Sequence, residues 1–84
     1  MEKMNKTIEA FKDDIHGSLK LREKILLNIE SKTEKEIILN QVELYFNFEK
    51  ENIELVYYVL DRNYPNVIID FKELKDIINS VYNI

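Results

Sequence analysis

Apolar residues recur at helical spacing near both ends of the chain, with charged residues between them. Near the N-terminus the apolar positions step by four, three and four, at Met4, Ile8, Phe11 and Ile15. Near the C-terminus one apolar face runs from Phe71 to Val81, and Asp70 with Glu73 forms a capping box before it. These patterns predict one amphipathic helix at each end of the chain.

A second apolar run extends from Leu19 to Ile29, beyond the only glycine of the chain. Two interpretations are open for its start. Gly17 can end the first helix while Ser18 caps a second one. Alternatively, one long helix tolerates Gly17 at a cost of about 1 kcal/mol, since the step from Ile15 to Leu19 is still four residues.

Residues 39–60 contain most of the predicted core and show a heptad repeat of apolar positions. The repeat consists of Leu39, Val42, Phe46, Glu49, Ile53, Val56 and Leu60, with one acidic interruption. Two overlapping capping boxes lie upstream, Ser31 with Glu34 and Thr33 with Glu36. Together these features predict that a helix begins near residue 34, pauses near residues 47–52, resumes from Ile53 and stops before Tyr64 and Pro65.

The same stretch also alternates between apolar and polar residues, which is the period of a β-strand. Residues 42–48 and 53–59 both alternate, and β-branched and aromatic side chains are frequent there. Tight turns between strands normally contain glycine, and none follows Gly17. We therefore expect a single small globular domain over residues 1–84 that is mainly α, a bundle of about four helices. The alternative is an α+β fold, with N-terminal helices, a short antiparallel meander over residues 41–69 and a C-terminal helix.

Charge is unevenly distributed along the chain. Residues 1–36 hold eight basic and eight acidic side chains, whereas residues 37–84 hold four basic and eight acidic ones, which gives the net charge of −4. The acidic half argues against a phosphate-binding surface there and fits a basic protein partner. No apolar run approaches the length of a membrane span, so no membrane association is expected. The chain has no cysteine, which excludes disulfides and thiolate metal sites, and the expected location is cytoplasmic.

Few residues have the spacing that catalysis or metal binding requires. Glu9, Asp13 and His16 share one predicted helix face, but that face is polar, so we expect them to be solvated. Capping explains Ser18, Ser31 and Thr33, and a single glycine cannot form a phosphate-binding loop. We therefore predict no metal, no cofactor and no enzymatic activity.

A basic cluster at Lys20, Arg22 and Lys24 leaves one alternative function open. A helical domain of this size can be a helix-turn-helix-type nucleic-acid-binding regulator, although Glu23 interrupts the cluster. A third interpretation is a structural homo-oligomer such as a homodimer, since a heptad stripe can pair helices between chains.

The aromatic residues of the 39–60 stretch cannot all face inward on a helix, and aromatic side chains supply much of the energy of protein interfaces. We therefore predict a non-enzymatic protein–protein interaction module, a small regulator, inhibitor or immunity-type protein that binds a partner protein through an acidic, aromatic face. The predicted partner-binding residues are Tyr45, Tyr58, Glu43, Glu51 and Glu54. In size and charge the chain is similar to small bacterial or phage regulators, inhibitors and bacteriocin-immunity bundles, although no motif assigns it to a family.

Overall fold

The computed structural model describes residues 5–82, in which helices cover one face of an antiparallel sheet. The helices are α1 (Lys6–His16), α2 (Leu19–Ser31) and α3 (Phe71–Tyr82). The strands are β1 (Glu36–Ile38), β2 (Val42–Asn47), β3 (Asn52–Tyr57) and β4 (Val67–Asp70). The strands lie in the order β1-β2-β3-β4, and each is antiparallel to the next. The described chain is therefore an α+β fold.

The expected mainly α bundle is wrong for the middle of the chain, where residues 36–70 hold the four strands. The α+β alternative gives the right class and element order, but its meander over residues 41–69 lacks the first strand, since the sheet has four strands and begins at Glu36. Burial follows the period of a strand, since Val42, Leu44 and Phe46 are buried while Tyr45 between them is exposed. The period of two, and not the heptad, is thus the signal that corresponds to the core.

The turn between β2 and β3 forms without glycine. Glu51 adopts the left-handed conformation with φ 56°, which glycine usually supplies in such turns. The Asn47 side chain stabilises the turn, because its Oδ1 accepts a hydrogen bond from the Lys50 backbone N–H at 3.0 Å. The absence of glycine was therefore a poor argument against a hairpin here.

The two capping boxes predicted between residues 31 and 36 are also wrong. Helix α2 ends at Ser31, and Lys32 follows in the left-handed conformation with φ 54°. The buried Asn28 side chain then pairs with the backbone of Glu34 in both directions. Asn28 Nδ2 donates to the Glu34 carbonyl at 2.9 Å, and the Glu34 N–H donates to Asn28 Oδ1 at 2.8 Å. This pairing directs the chain away from the helix and into β1.

A break at residues 17 and 18 separates α1 from α2, so the two-helix interpretation is confirmed. Ser18 caps α2, and its Oγ accepts a hydrogen bond from the Leu21 N–H at 3.2 Å. Gly17 has φ −92°, and a Cβ built there would meet nothing within 4 Å. The cap therefore explains the break better than the glycine does. The predicted cap of α3 is also confirmed, since Asp70 Oδ1 accepts from the Glu73 N–H at 2.7 Å.

Helix α1 lies at the centre of the helical layer, where it contacts β2, β3 and α3. Phe11 and Ile15 of its apolar stripe are fully buried, and Ile8 packs against the same core. Met4, the first residue of the predicted stripe, lies outside the described residues. The core is thus formed between this helical layer and one face of the sheet.

Two polar contacts fix α1 to the sheet. The Asp14 carboxylate accepts hydrogen bonds from the backbone N–H groups of Gln41 and Val42, at 2.7 and 3.0 Å. The buried Thr7 hydroxyl donates to the Pro65 carbonyl at 2.6 Å. One helix therefore holds both the turn before β2 and the loop of residues 58–66, which we call the β3–β4 loop.

Candidate functional site

The sheet has one face that no described element covers, opposite the helices, and we call it the open face. The strand side chains assigned to it by burial and register are Glu36, Ile38, Glu43, Tyr45, Asn47, Asn52, Glu54, Val56, Ile68 and Asp70. Glu36 lies opposite Tyr45, Tyr45 opposite Glu54, and Glu54 opposite Ile68. One continuous row of side chains therefore crosses all four strands.

The open face carries an acidic side chain on each of its four strands. It has four carboxylates, on Glu36, Glu43, Glu54 and Asp70, of which Asp70 also caps α3. No lysine or arginine occurs among its strand residues. The ion pairs found within residues 5–82 are Lys12–Glu9 and Lys75–Glu30, and all four of these residues belong to helices. No ion pair in the described part of the chain therefore compensates the charge of this face.

Apolar side chains are exposed beside these carboxylates. Ile38 and Ile68 are 57% and 65% exposed, and both belong to the short outer strands of the sheet. The β3–β4 loop adds Tyr58, Val59 and a fully exposed Leu60 at one end of the face. Ile38 and Ile68 are separated by β2 and β3, whereas Tyr58, Val59 and Leu60 are consecutive. Apolar groups that adjoin one another on a surface commonly mark a site where another molecule binds.

A hydrogen bond joins Tyr45 and Glu43 at the centre of the open face. The Tyr45 hydroxyl donates to Glu43 Oε1 at 2.6 Å. This hydrogen bond is the main cause that raises the pKa of Tyr45 to about 12, because ionisation of the phenol would break it and place a second anion beside the carboxylate. The contact holds both side chains in position on the face.

The raised pKa of Tyr45 gives a first testable prediction. The contribution of this hydrogen bond is present below pH 10 and is lost as the pH rises towards about 12, because only the neutral phenol can donate. In the Glu43→Gln variant the carboxylate charge is absent, so we expect the pKa of Tyr45 to fall towards 10. Residue-resolved NMR titration of the tyrosine rings measures the pKa of Tyr45 separately from that of Tyr57, which is also raised, by burial. The same Tyr45 pKa in both proteins would contradict the assigned cause.

A groove lies where the open face meets the β3–β4 loop. Its volume is about 570 Å³. The residues that line it are Glu43, Val56, Tyr57, Tyr58, Val59, Leu60, Asp61, Tyr64, Pro65 and Asn66. The groove therefore combines apolar and aromatic walls with two carboxylates, those of Glu43 and Asp61.

Several contacts hold the β3–β4 loop in place. The ring of Tyr64 stacks on Tyr57, with ring centroids 3.9 Å apart and planes inclined at 18°. Asp61 Oδ1 accepts a hydrogen bond from the Asn63 N–H at 2.9 Å, which closes a tight turn. Together with the hydrogen bond from Thr7 to the Pro65 carbonyl, these contacts fix the wall of the groove.

The structure brings together four of the five predicted partner-binding residues. Glu43, Tyr45 and Glu54 are neighbours on the open face, and Tyr58 lines the adjoining groove with Glu43. Glu51 is separate, because it lies in the β2–β3 turn and its carbonyl accepts a hydrogen bond from the N–H of Phe71. The predicted set therefore has one member that does not belong to this surface.

Sequence reasoning missed the outer parts of the open face. Glu36 and Ile38 of β1, and Ile68 and Asp70 of β4, extend it to both edges of the sheet. Alternation around the buried Ile37 and Ile69 is the signal that could have found them. Each of these strands is only three or four residues long, so the signal is short.

The residues considered for metal binding lie elsewhere. A surface pocket beside α1 is lined in part by Glu9, Asp13 and His16. Asp13 accepts a hydrogen bond from the Gln41 side-chain amide at 3.0 Å. Within residues 5–82, no three His, Asp or Glu side chains converge in a way that would hold a metal ion.

The basic cluster of the second helix is divided between two sides of α2. Lys20 and Lys24 are exposed, whereas Arg22 is half-buried. The Arg22 guanidinium lies 5.7 Å from the ring centre of Tyr82, and its Nη2 contacts Asn79 Oδ1 at 3.4 Å. Arg22 therefore packs against α3 and does not extend a surface formed by the two lysines.

Comparisons of the chain with known protein families, with curated proteins and with solved structures give no match. In the part of the chain from residue 5 to residue 82, no helix has the length and apolar character needed to cross a membrane. The surface chemistry described above is therefore the basis on which a function can be inferred.

Proposed function

We propose that the protein is a non-enzymatic binding module, a small regulator or inhibitor, that binds a basic segment of a partner protein on its open face. The observation that carries this proposal is the composition of the face. Four carboxylates and several exposed apolar side chains occur together there, without a lysine or arginine among the strand residues. Carboxylates attract and select a basic partner, and apolar groups supply the buried contact area.

The sheet limits how such a partner can bind. Strands β2 and β3 each pair with a neighbour on both sides, so their backbone groups are already hydrogen-bonded within the sheet. A partner lying on the face must therefore contact side chains, such as Ile38, Tyr45 and Ile68. Binding would cover the basic segment of the partner and block its other interactions, which is an inhibitory mechanism.

The same charges favour a basic protein over the two alternative partners. A second copy of the chain, docked face to face, would place Glu43 and Glu54 against the carboxylates of the other copy, and like charges in contact are destabilising. The phosphates of a nucleic acid would also be repelled by this face. Charge complementarity therefore supports a basic protein segment.

Reversal of charge on the open face tests the proposal. In the double variant Glu43→Lys, Glu54→Lys we expect the affinity for the captured partner to fall about 100-fold, because each lysine replaces an attraction by a repulsion. The matched control is Glu23→Lys, Asp76→Lys, which makes the same change of charge on exposed positions of α2 and α3. We expect the control to bind within about threefold of the wild type, since these charges lie on the helical layer.

Affinity capture from a nuclease-treated lysate, followed by calorimetry with the purified partner, measures the effect. Equal affinities of the two double variants would contradict the proposal, as would a partner that disappears after nuclease treatment. Analytical ultracentrifugation supplies a further check on the wild-type chain of 10.1 kDa. A dimer that dissociates in the double variant of the open face would assign the face to self-association instead.

A further inference from the structure

The groove beside the β3–β4 loop suggests which side chain of the partner anchors the complex, an inference that rests on the proposed function. We propose that this groove binds an arginine side chain from the basic segment of the partner. Its volume of about 570 Å³ is ample for one side chain and leaves room for part of the partner backbone. Its lining combines carboxylates, apolar walls and an exposed aromatic ring, each of which matches one part of an arginine.

The two carboxylates of the groove are held in place and still have oxygen atoms to offer. Glu43 Oε1 accepts from the Tyr45 hydroxyl, and Asp61 Oδ1 accepts from the Asn63 N–H. Among the hydrogen bonds of residues 5–82, none involves the second oxygen of either carboxylate in this pair. A guanidinium has five N–H donors in a planar arrangement and is suited to bind such oxygens.

The walls of the groove fit the rest of the arginine side chain. Val56 and Val59 provide apolar surface for its methylene groups, which need a dry contact next to the charged end. Tyr58 is 56% exposed, and its ring is held edge-on by Tyr57 at a centroid distance of 4.9 Å. A guanidinium can stack on such a ring, whereas the ammonium group of lysine has no plane with which to stack.

The groove is formed before any partner arrives, so little ordering is needed on binding. Stacking of Tyr64 on Tyr57 and the hydrogen bond from Thr7 to the Pro65 carbonyl hold the loop wall. Arg62 lies in the same loop but is exposed and does not line the groove. The position for a guanidinium is therefore available to a residue of the partner.

NMR titration of the ¹⁵N-labelled protein with the tripeptide Ac-Gly-Arg-Gly-NH₂ tests the inference. We expect saturable shifts at the amides of Glu43, Tyr58 and Asp61. The same tripeptide with citrulline, which has the shape of arginine without its charge, should bind at least about tenfold more weakly. The lysine tripeptide should also bind more weakly, by about threefold or more, because it cannot stack.

A pair of matched variants locates the site. Asp61→Asn removes the charge but keeps an oxygen that can accept from the Asn63 N–H, so the loop is retained while arginine binding falls about tenfold. Asp76→Asn makes the same change on an exposed residue of α3 and should leave binding unchanged. Equal binding of citrulline and arginine, or no effect of Asp61→Asn, would overturn the inference.

The two proposals fail in different ways. If charge reversal at Glu43 and Glu54 abolishes partner binding but Asp61→Asn does not weaken partner binding, the proposed function is supported and the arginine site in the groove is contradicted. Glu43 belongs to both surfaces, so the variant that separates them is Glu54→Lys, which changes the open face but does not line the groove. If Asp61→Asn weakens partner binding while Glu54→Lys leaves it unchanged, the groove is supported and the open face is contradicted as the binding surface.

Discussion

The variant Asn28→Asp is expected to lower the free energy of unfolding by about 4 kcal/mol at pH 7. Asn28 is 3% exposed, and its amide both donates to and accepts from the backbone of Glu34. A carboxylate in its place cannot donate to the Glu34 carbonyl, and two oxygens with lone pairs would face each other. A buried charge without a partner adds its desolvation cost to the lost hydrogen bond.

The loss caused by Asn28→Asp should depend on pH in a defined direction. Burial beside a carbonyl raises the folded-state pKa of the introduced carboxyl above its unfolded value of about 3.9. The neutral carboxyl can donate to the carbonyl of Glu34, so the variant is closest to the wild type below about pH 4. It loses stability as the pH rises from there through the raised folded-state pKa. Urea denaturation followed by circular dichroism, at pH 3.5 and at pH 7, measures the difference from the wild type at each pH.

The control for this variant is Asn40→Asp, at an exposed position in the turn between β1 and β2. We expect it to change the free energy of unfolding by less than about 0.5 kcal/mol at either pH. A loss of equal size at Asn40, or a loss at Asn28 that does not vary with pH, would show that the pairing with Glu34 is not the cause.

The variant Asp14→Ala is expected to lower the free energy of unfolding by about 3 kcal/mol. One oxygen of Asp14 accepts from two backbone N–H groups, those of Gln41 and Val42, and alanine leaves both donors without this partner. Hydrogen bonds to a charged acceptor contribute more than neutral ones, and this pair connects α1 with the first residue of β2.

The neighbouring residue supplies the control for this second variant. Asp13 is exposed and accepts from the Gln41 side-chain amide, which also donates to Asp14, so Asp13→Ala should cost less than about 0.5 kcal/mol. Urea denaturation gives both values, and amide hydrogen exchange at Val42 should accelerate only in Asp14→Ala. Equal losses in the two variants would contradict the role assigned to Asp14.

The two helices at the ends of the described chain could be predicted from sequence because their signals are local. Phe11 and Ile15 repeat at helical spacing, and Asp70 with Glu73 marks the start of α3. The break between α1 and α2 was ambiguous, since Ser18 can serve as a cap or lie within a continuous helix. Only the packed structure distinguishes the two conformations.

The middle of the chain could not be predicted in the same way, since its sequence satisfies two periods at once. Leu39, Val42 and Phe46 fit a heptad and are buried, but Leu60 continues the heptad and is fully exposed. Strand β1 shows its alternation over only three residues, and its start depends on the contact between Asn28 and the backbone of Glu34, six residues away. Such a contact forms only in the folded structure and leaves no periodic pattern in the sequence.

The candidate site was predicted in part, for a similar reason. Acidic and aromatic composition pointed to Glu43, Tyr45 and Glu54, but only the strand register shows that Tyr45 lies opposite Glu54. Composition also pointed to Glu51, which the β2–β3 turn places away from the open face. The charge of these residues can therefore be predicted from the sequence, whereas which side chains are neighbours depends on the register of the sheet.

The central position of α1 has a consequence for the order in which the protein folds during synthesis. Helix α1 is among the first parts of the described chain to leave the ribosome, yet it packs against β2, β3 and α3, which follow it. At typical elongation rates, about 3 to 11 s separate the synthesis of His16 from that of Phe71. During this interval Phe11 and Ile15 lack the surfaces that later bury them, so the nascent chain exposes these apolar side chains to molecular chaperones before it can close its core.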